Sequence, residues 1–180
     1  MSGTGWRRVC LLSFIALALA IAAAALIREV GGQHEPAVLV DDGTDRIRTV
    51  SLAQMKALPL LSRFGCYENQ LGNWRDAGIY IGVRLTDLLG GRVDYKSLLI
   101  TAKDGYALEL ERERVEDEEY PVILAYAFNG VEVPAWQDGF RLAVLPEDGS
   151  VSNAEYRAPS AGAFWVKNVV RITVTPRQAP

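Results

Sequence analysis

A strand-rich α+β domain, preceded by one N-terminal transmembrane helix, is the architecture this sequence predicts. Three observations predict it. Val9 to Ile27 is an apolar run of 19 residues in which only Ser13 is polar. After it come short β-rich runs separated by Gly, Asp, Asn and Pro turn signals. Between them lie only a few short helical patterns, and no internal repeat or low-complexity tract.

The N-terminal run comes first. At 1.5 Å per residue it forms a helix roughly 28 Å long, close to the thickness of a bilayer core. Arg7 and Arg8 precede it and no charge interrupts it before Arg28. The positive-inside rule then keeps residues 1–8 in the cytoplasm and places the domain on the extracytoplasmic side, periplasmic or extracellular. Two versions stand: an uncleaved signal anchor over 9–27, or a signal peptide cut near the alanines at 22–25, which would release a secreted protein. Arg7-Arg8 ahead of an apolar run is also a loose match to a twin-arginine export signal. Residues 28–36, with Gly31-Gly32 and Pro36, read as a linker. His34, the single His of the chain, falls there as an exposed linker residue.

Composition then excludes several functions. The chain has 180 residues, 19 Lys+Arg, 22 Asp+Glu and a formal net charge of −3, which is no footprint for nucleic acid. Every acid but only 16 of the basic residues follow Arg28, so residues 29–180 carry −6. One His and two Cys exclude a His- or Cys-rich zinc site and a disulfide framework. Hydrophobic residues make up 49% of the chain, too many for a disordered one.

Within the domain, Ala37–Val40 and Arg46–Val50 read as strands joined by an Asp41-Asp42-Gly43 turn. Ser51 caps a short helix, Leu52–Leu58, which Pro59 closes. Leu61–Tyr67 is a strand, Glu68–Gly78 a polar loop, and Ile79–Leu85 a strand. Thr86 caps a helix over Asp87-Leu88-Leu89, ended by Gly90-Gly91. Ser97–Ala102 and Tyr106–Leu110 form a hairpin around Lys103-Asp104-Gly105. Glu109–Glu119, with seven acids, reads as a solvated helix or loop. Val122–Phe128 is a buried strand, turned by Asn129-Gly130 into Val131–Val133. Arg141–Leu145 and Val169–Thr175 are the last strands, with a long loop over Glu147–Ala163 between them.

Several of these segments, taken together, carry a resemblance. They are Ser51–Pro59, Tyr80–Leu89 with its Gly82-Val83-Arg84-Leu85, Ala102–Tyr106, Ile123–Gly130, Phe140–Pro146 and Trp165–Ile172. In this order the chain resembles the sulfite-oxidase-like molybdopterin-binding domain over roughly residues 45–176. The resemblance implies a mixed α+β fold with a β-rich, barrel-like core. It implies molybdopterin with molybdenum as cofactor, one Cys thiolate as metal ligand, and two-electron chemistry on a small anionic or oxo substrate. Electrons would pass to a separate partner.

Carried onto this chain, the resemblance makes Cys66 the metal and catalytic candidate, 16 residues before Gly82. Arg75 would attract the substrate, and Asn69, Asn73, Arg141 and Lys167 would hold the pterin. Arg63 lies near Cys66 in sequence. The sequence also departs from the enzyme pattern. Tyr67-Glu68-Asn69 follows Cys66, and Gly72-Asn73-Trp74-Arg75 comes six residues later. Cys66 equally reads as a small core residue, since free Cys is among the most buried types. Each Arg equally reads as an ordinary ion pair, and Trp136 and Trp165 as core or pocket rim. Two functions therefore stand side by side: a membrane-tethered molybdopterin oxidoreductase, and a non-catalytic module on the same scaffold that binds a ligand or protein without molybdenum.

Overall fold

Among the described residues, the turn signals mark off eleven strands. In chain order they are β1 Ala37–Asp41, β2 Ile47–Ser51, β3 Leu60–Glu68, β4 Trp74–Arg84, β5 Tyr95–Ala102 and β6 Ala107–Glu111. Then come β7 Val122–Phe128, β8 Val131–Glu132, β9 Arg141–Val144, β10 Ser150–Val151 and β11 Val169–Pro176. Three short helices interrupt them: α1 Leu52–Lys56, α2 Leu85–Leu89 and α3 Arg112–Val115. A 3₁₀ turn spans Ala161–Phe164. The structure is a computed structural model, and it describes residues 35–44, 46–90 and 94–177. The apolar run 9–27, Cys10, His34 and Gly91 lie outside the described residues. Among the described residues no helix is long and apolar enough to cross a membrane.

The strands form two mixed sheets. One runs β2-β1-β11-β5-β6, with β1 and β11 parallel and the other pairs antiparallel. The other runs β10-β3-β4-β7-β8, with β9 also paired to β7. The strand β7 organises this second sheet. It lies between β4 on one side and β9 and β8 on the other. Val122 through Ala127 are all buried, which explains an apolar run without alternation. The core continues through Val38, Val40, Leu98, Ile100, Ile172 and Val174 of the first sheet.

Local chemistry fixes the connections. Ser51 accepts a hydrogen bond from the N–H of Gln54, and Gln54 Oε1 accepts one from the N–H of Ser51, a complete capping box. Asn129 and Gly130 both take positive φ, 48° and 80°, as a tight hairpin turn requires. The Asp104 carboxylate accepts the N–H of Tyr106 in the β5–β6 turn.

Three expected elements differ. The polar stretch 68–78 is a turn only over 69–73, because β4 begins at Trp74 and pairs it with Glu68. The ribbon end is exposed, so its polar residues mark two wet faces rather than a loop. Thr86 does not cap α2. The cap position is Arg84, and the helix begins at Leu85 because Leu85 and Leu88 are both buried. The segment 147–163 is not all loop, since Ser150–Val151 pairs in parallel with Cys66–Tyr67 and buries Val151.

A close approach at Gly82 locks the centre of the second sheet. A Cβ there would lie 2.3 Å from the carbonyl oxygen of Leu124 and 2.6 Å from Cα of Ala125, both backbone atoms. The β4–β7 register shifts at this point, between Ile81 and Gly82. Gly82→Ala is therefore expected to destabilise the domain by about 2 kcal/mol or more through overpacking. Urea denaturation followed by circular dichroism reads this directly; an unchanged midpoint would contradict the packing.

Candidate functional site

A guanidinium buried at the end of a strand forms the centre of the site. Arg141 opens β9, and its side chain is only 2% exposed. Burying this charge requires answering charges. Two carboxylates supply them. Asp138 Oδ2 accepts from Nη1 at 2.9 Å, and Asp76 Oδ2 accepts from Nη2. The Lys167 ammonium lies 3.1 Å from Asp138 Oδ2 and 3.8 Å from Asp76 Oδ2.

Each partner is placed by local structure. The β3–β4 register shifts between Gly65 and Tyr67, and Asp76 sits on the opposing strand with φ at 51°. Such an irregularity re-aims a side chain, and Asp tolerates the left-handed region better than most residues. Asp76 therefore reaches inward while its neighbour Arg75 stays exposed. Asp138 sits in the turn before β9, where its carbonyl accepts the N–H of Asn168 at 2.7 Å. That bond brings Lys167 beside Asp138.

Aromatic rings close the inner side. The Arg141 guanidinium lies 5.6 Å from the ring centre of Trp165, 5.8 Å from Tyr67 and 5.9 Å from Tyr80. Trp165 meets Tyr80 edge-on at 5.0 Å. Gly65 makes room for this contact, since a Cβ there would fall 2.8 Å from Trp165 Cη2 and 2.5 Å from Leu145. The Tyr67 hydroxyl donates to Asp76 Oδ2, and the Tyr80 hydroxyl donates to the Asp76 carbonyl at 2.7 Å. Among the described residues, two buried donors of this cluster, Arg141 Nε and Trp165 Nε1, have no acceptor.

The electrostatics follow from these contacts. Burial opposes the charged form of Arg141, but the tyrosines and Asp76 outweigh it and hold the guanidinium more firmly protonated than usual. Burial likewise pushes Asp76 toward neutrality. The Arg141 hydrogen bond and charge, then Lys167 and Tyr67, overcome that and hold its carboxyl below the usual range. Burial raises both Tyr67 and Tyr80, so both hydroxyls stay protonated donors.

The candidates expected from the sequence separate into two groups. Arg141 and Lys167 come together. Among the described residues, no hydrogen bond or ion pair links either to Cys66, Asn69, Asn73 or Arg75. Asn69 is a turn residue: its Oδ1 accepts the N–H groups of Leu71 and Asn73, and its carbonyl accepts Asn153 Nδ2. Asn73 closes the same turn through its carbonyl. Arg63 donates to the Leu145 carbonyl at 2.7 Å, a structural role. Trp136 and Trp165 are both core residues and cleft walls, 8% and 3% exposed.

Cys66 lies in the irregular part of β3 and is 9% exposed. Its N–H donates to the Gly149 carbonyl. Burial pushes its thiol up, and the Asp148 carboxylate adds to the effect. The cations expected to hold an anionic pterin are already neutralised by Asp76 and Asp138. With these cations already paired, the cluster does not fit the anionic end of molybdopterin.

Asp76, Asp138, Tyr67 and Tyr80 were not among the sequence candidates. Asp138 carried a signal, three residues before Arg141. Asp76 carried none, because its approach to Arg141 depends on the β3–β4 irregularity.

Two outcomes are expected. Asp76→Asn combined with Asp138→Asn leaves Arg141 buried without an answering charge, and urea unfolding should show a loss of about 3–5 kcal/mol. The depressed Asp76 pKa contributes stability that is full above its unfolded value, near ~3.9, and lost as pH falls through the folded value. Thermal melts on acidification below about pH 4 should therefore fall more steeply for the native chain than for Asp76→Asn. Parallel curves would contradict the pairing.

No protein-family model matches the chain, and no curated protein matches it either. Its fold is similar to that of the sulfane dehydrogenase SoxCD from Paracoccus pantotrophus, with a TM-score of 0.58 at 17% sequence identity. The match covers 79% of this chain and 38% of that one. The chain thus spans well under half of the dehydrogenase chain, and the likeness is one of fold.

Proposed function

We propose that this chain is a non-catalytic binding module built on the fold it shares with the sulfane dehydrogenase, and that it works without molybdenum. One observation carries this reading. Arg141 and Lys167, the cations that the sequence resemblance gives to a pterin, are balanced by the chain's own Asp76 and Asp138. Among the described residues no hydrogen bond or ion pair joins Cys66 to this cluster, which agrees with it.

The clefts around the cluster are the binding region. One, of about 380 Å³, is lined by Asp76, Asp138, Arg141, Phe128 and Trp136. Another, of about 400 Å³, is lined by Tyr106, Trp165, Lys167 and Asn168. Both are of small-ligand size. The N-terminal apolar run supports an extracytoplasmic domain, anchored through residues 9–27 or secreted after cleavage.

A second reading has its own support. The fold similarity is to a dehydrogenase, and Cys66 is the one Cys after residue 28. It makes the chain an extracytoplasmic molybdopterin oxidoreductase that passes electrons to a partner. Metal and pterin analysis of protein purified from a native, molybdenum-replete host separates the two. The binding-module reading expects folded protein without molybdenum. Stoichiometric molybdenum that is lost in Cys66→Ser would overturn it.

A further inference from the structure

We propose that the outer face of the β3–β4 ribbon rests on the surface of a zwitterionic phospholipid bilayer, an inference that goes beyond the binding-module reading and rests only on its membrane-anchored form. The argument begins with exposure. Leu60, Phe64, Leu71, Trp74 and Ile79 are 61%, 44%, 75%, 51% and 43% exposed. All five lie on this ribbon or in its turn. The register puts four of them on one face. Phe64 stands opposite Ile79 and Glu68 opposite Trp74, and directly paired residues share a face. Leu60, Phe64 and Glu68 share it as well, through the period of two along β3. The alternate residues Gly65 and Tyr67 turn instead to Trp165 in the core.

The ribbon also projects. The strand β4 pairs with β7 only from Tyr80 to Arg84, so residues 74–78 extend past the end of that neighbour. The two strands of the ribbon pair with each other, so the face brings side chains to a lipid surface rather than open N–H groups. Its tip carries Leu71 and an indole, Trp74, a side chain that concentrates at bilayer interfaces. The neighbouring Arg75 is exposed, and its guanidinium makes no hydrogen bond or ion pair among the described residues. Its long stem can carry that charge to a lipid phosphate. Glu68, the acid on this face, has Oε2 occupied by the N–H of Asn153 at 2.8 Å. Glu147 and Asp148 are exposed in the turn whose Gly149 packs against Phe64, which favours zwitterionic over anionic headgroups.

Two further observations select a bilayer over a protein. The first is area. Five large side chains, each roughly half exposed, offer on the order of 600 Å², short of the roughly 800 Å² per partner of a stable protein interface. The second is the chain that precedes the domain. The apolar run ends at Ile27, and residues 28–36 reach at most roughly 30 Å when fully extended. On the anchored reading this tether holds the domain beside the bilayer at an effective concentration on the order of millimolar. A face too small to keep a free partner then suffices to keep a surface that is always at hand.

Full-length protein reconstituted into phosphatidylcholine vesicles, with plain or brominated acyl chains, tests this. Bromine quenches an indole that meets the acyl region. Trp6, Trp136 and Trp165 are common to the native chain and Trp74→Phe, so the difference in emission between the two isolates Trp74. The expected result, in vesicles diluted to single copies, is that brominated lipid removes most of the Trp74 emission and that Leu71→Asp restores most of it. Both variants change well-exposed residues, so they keep the native circular dichroism. Trp74 emission equal in the two lipids, or a loss unchanged in Leu71→Asp, would overturn the proposal. A loss that appears only when vesicles hold many copies would also overturn it and make the face a contact between copies of this chain. Anchored protein with unquenched Trp74 overturns this inference alone. Protein that an alkaline wash strips from the vesicles overturns the anchored reading beneath it.

Discussion

The structure around the site depends on the burial of one positive charge. A guanidinium that is 2% exposed costs several kcal/mol to desolvate unless it is answered. The chain answers it with Asp76 from β4, Asp138 from the turn before β9, and the faces of Tyr67, Tyr80 and Trp165. These partners come from four segments: Tyr67 from β3, Asp76 and Tyr80 from β4, Asp138 from the turn before β9, and Trp165 from the segment before β11. The ion cluster therefore ties the β3–β4 ribbon, the start of β9 and the segment before β11 into one arrangement. Satisfaction is incomplete, since Arg141 Nε and Trp165 Nε1 keep unanswered N–H groups. A wholly structural cluster would be expected to satisfy all of its buried donors.

That combination bears on function. Cations intended for a bound anion are normally left for it to neutralise. Here they meet aspartates from the same chain. The likeness to the sulfane dehydrogenase is one of fold, and a fold hosts many chemistries. What distinguishes this chain is its site: paired charges of both signs and an aromatic wall. On the proposed reading these features serve recognition of a small ligand.

Much of the fold was legible in the sequence, for physical reasons. Asn129-Gly130 and Lys103-Asp104-Gly105 specify tight turns through local backbone chemistry, and the structure makes both. Val122–Phe128 reads as buried because a strand covered on both faces needs no polar alternation. Ser51 reads as a cap because its hydroxyl competes for helix N–H groups. The start of β4 was not legible, because an exposed ribbon looks like a loop in composition. The site was legible only in part. Arg141 and Lys167 emerged through their motifs, but Asp76 did not, because backbone geometry at φ 51° decides where it points. Cys66 stands out as the one Cys after residue 28, yet pattern alone could not show its burial or its place in the irregular part of β3.

The central claim is that Arg141 is held by the chain's own carboxylates rather than by an anionic cofactor. A crystal structure of the protein isolated from its native host, at a resolution that separates carboxylate oxygens from phosphate, tests it most directly. The account predicts Asp76 and Asp138 on the two terminal nitrogens of Arg141, with Cys66 as a free thiol. A pterin phosphate on Arg141 with Asp76 turned away, and metal density at Cys66 Sγ, would contradict it.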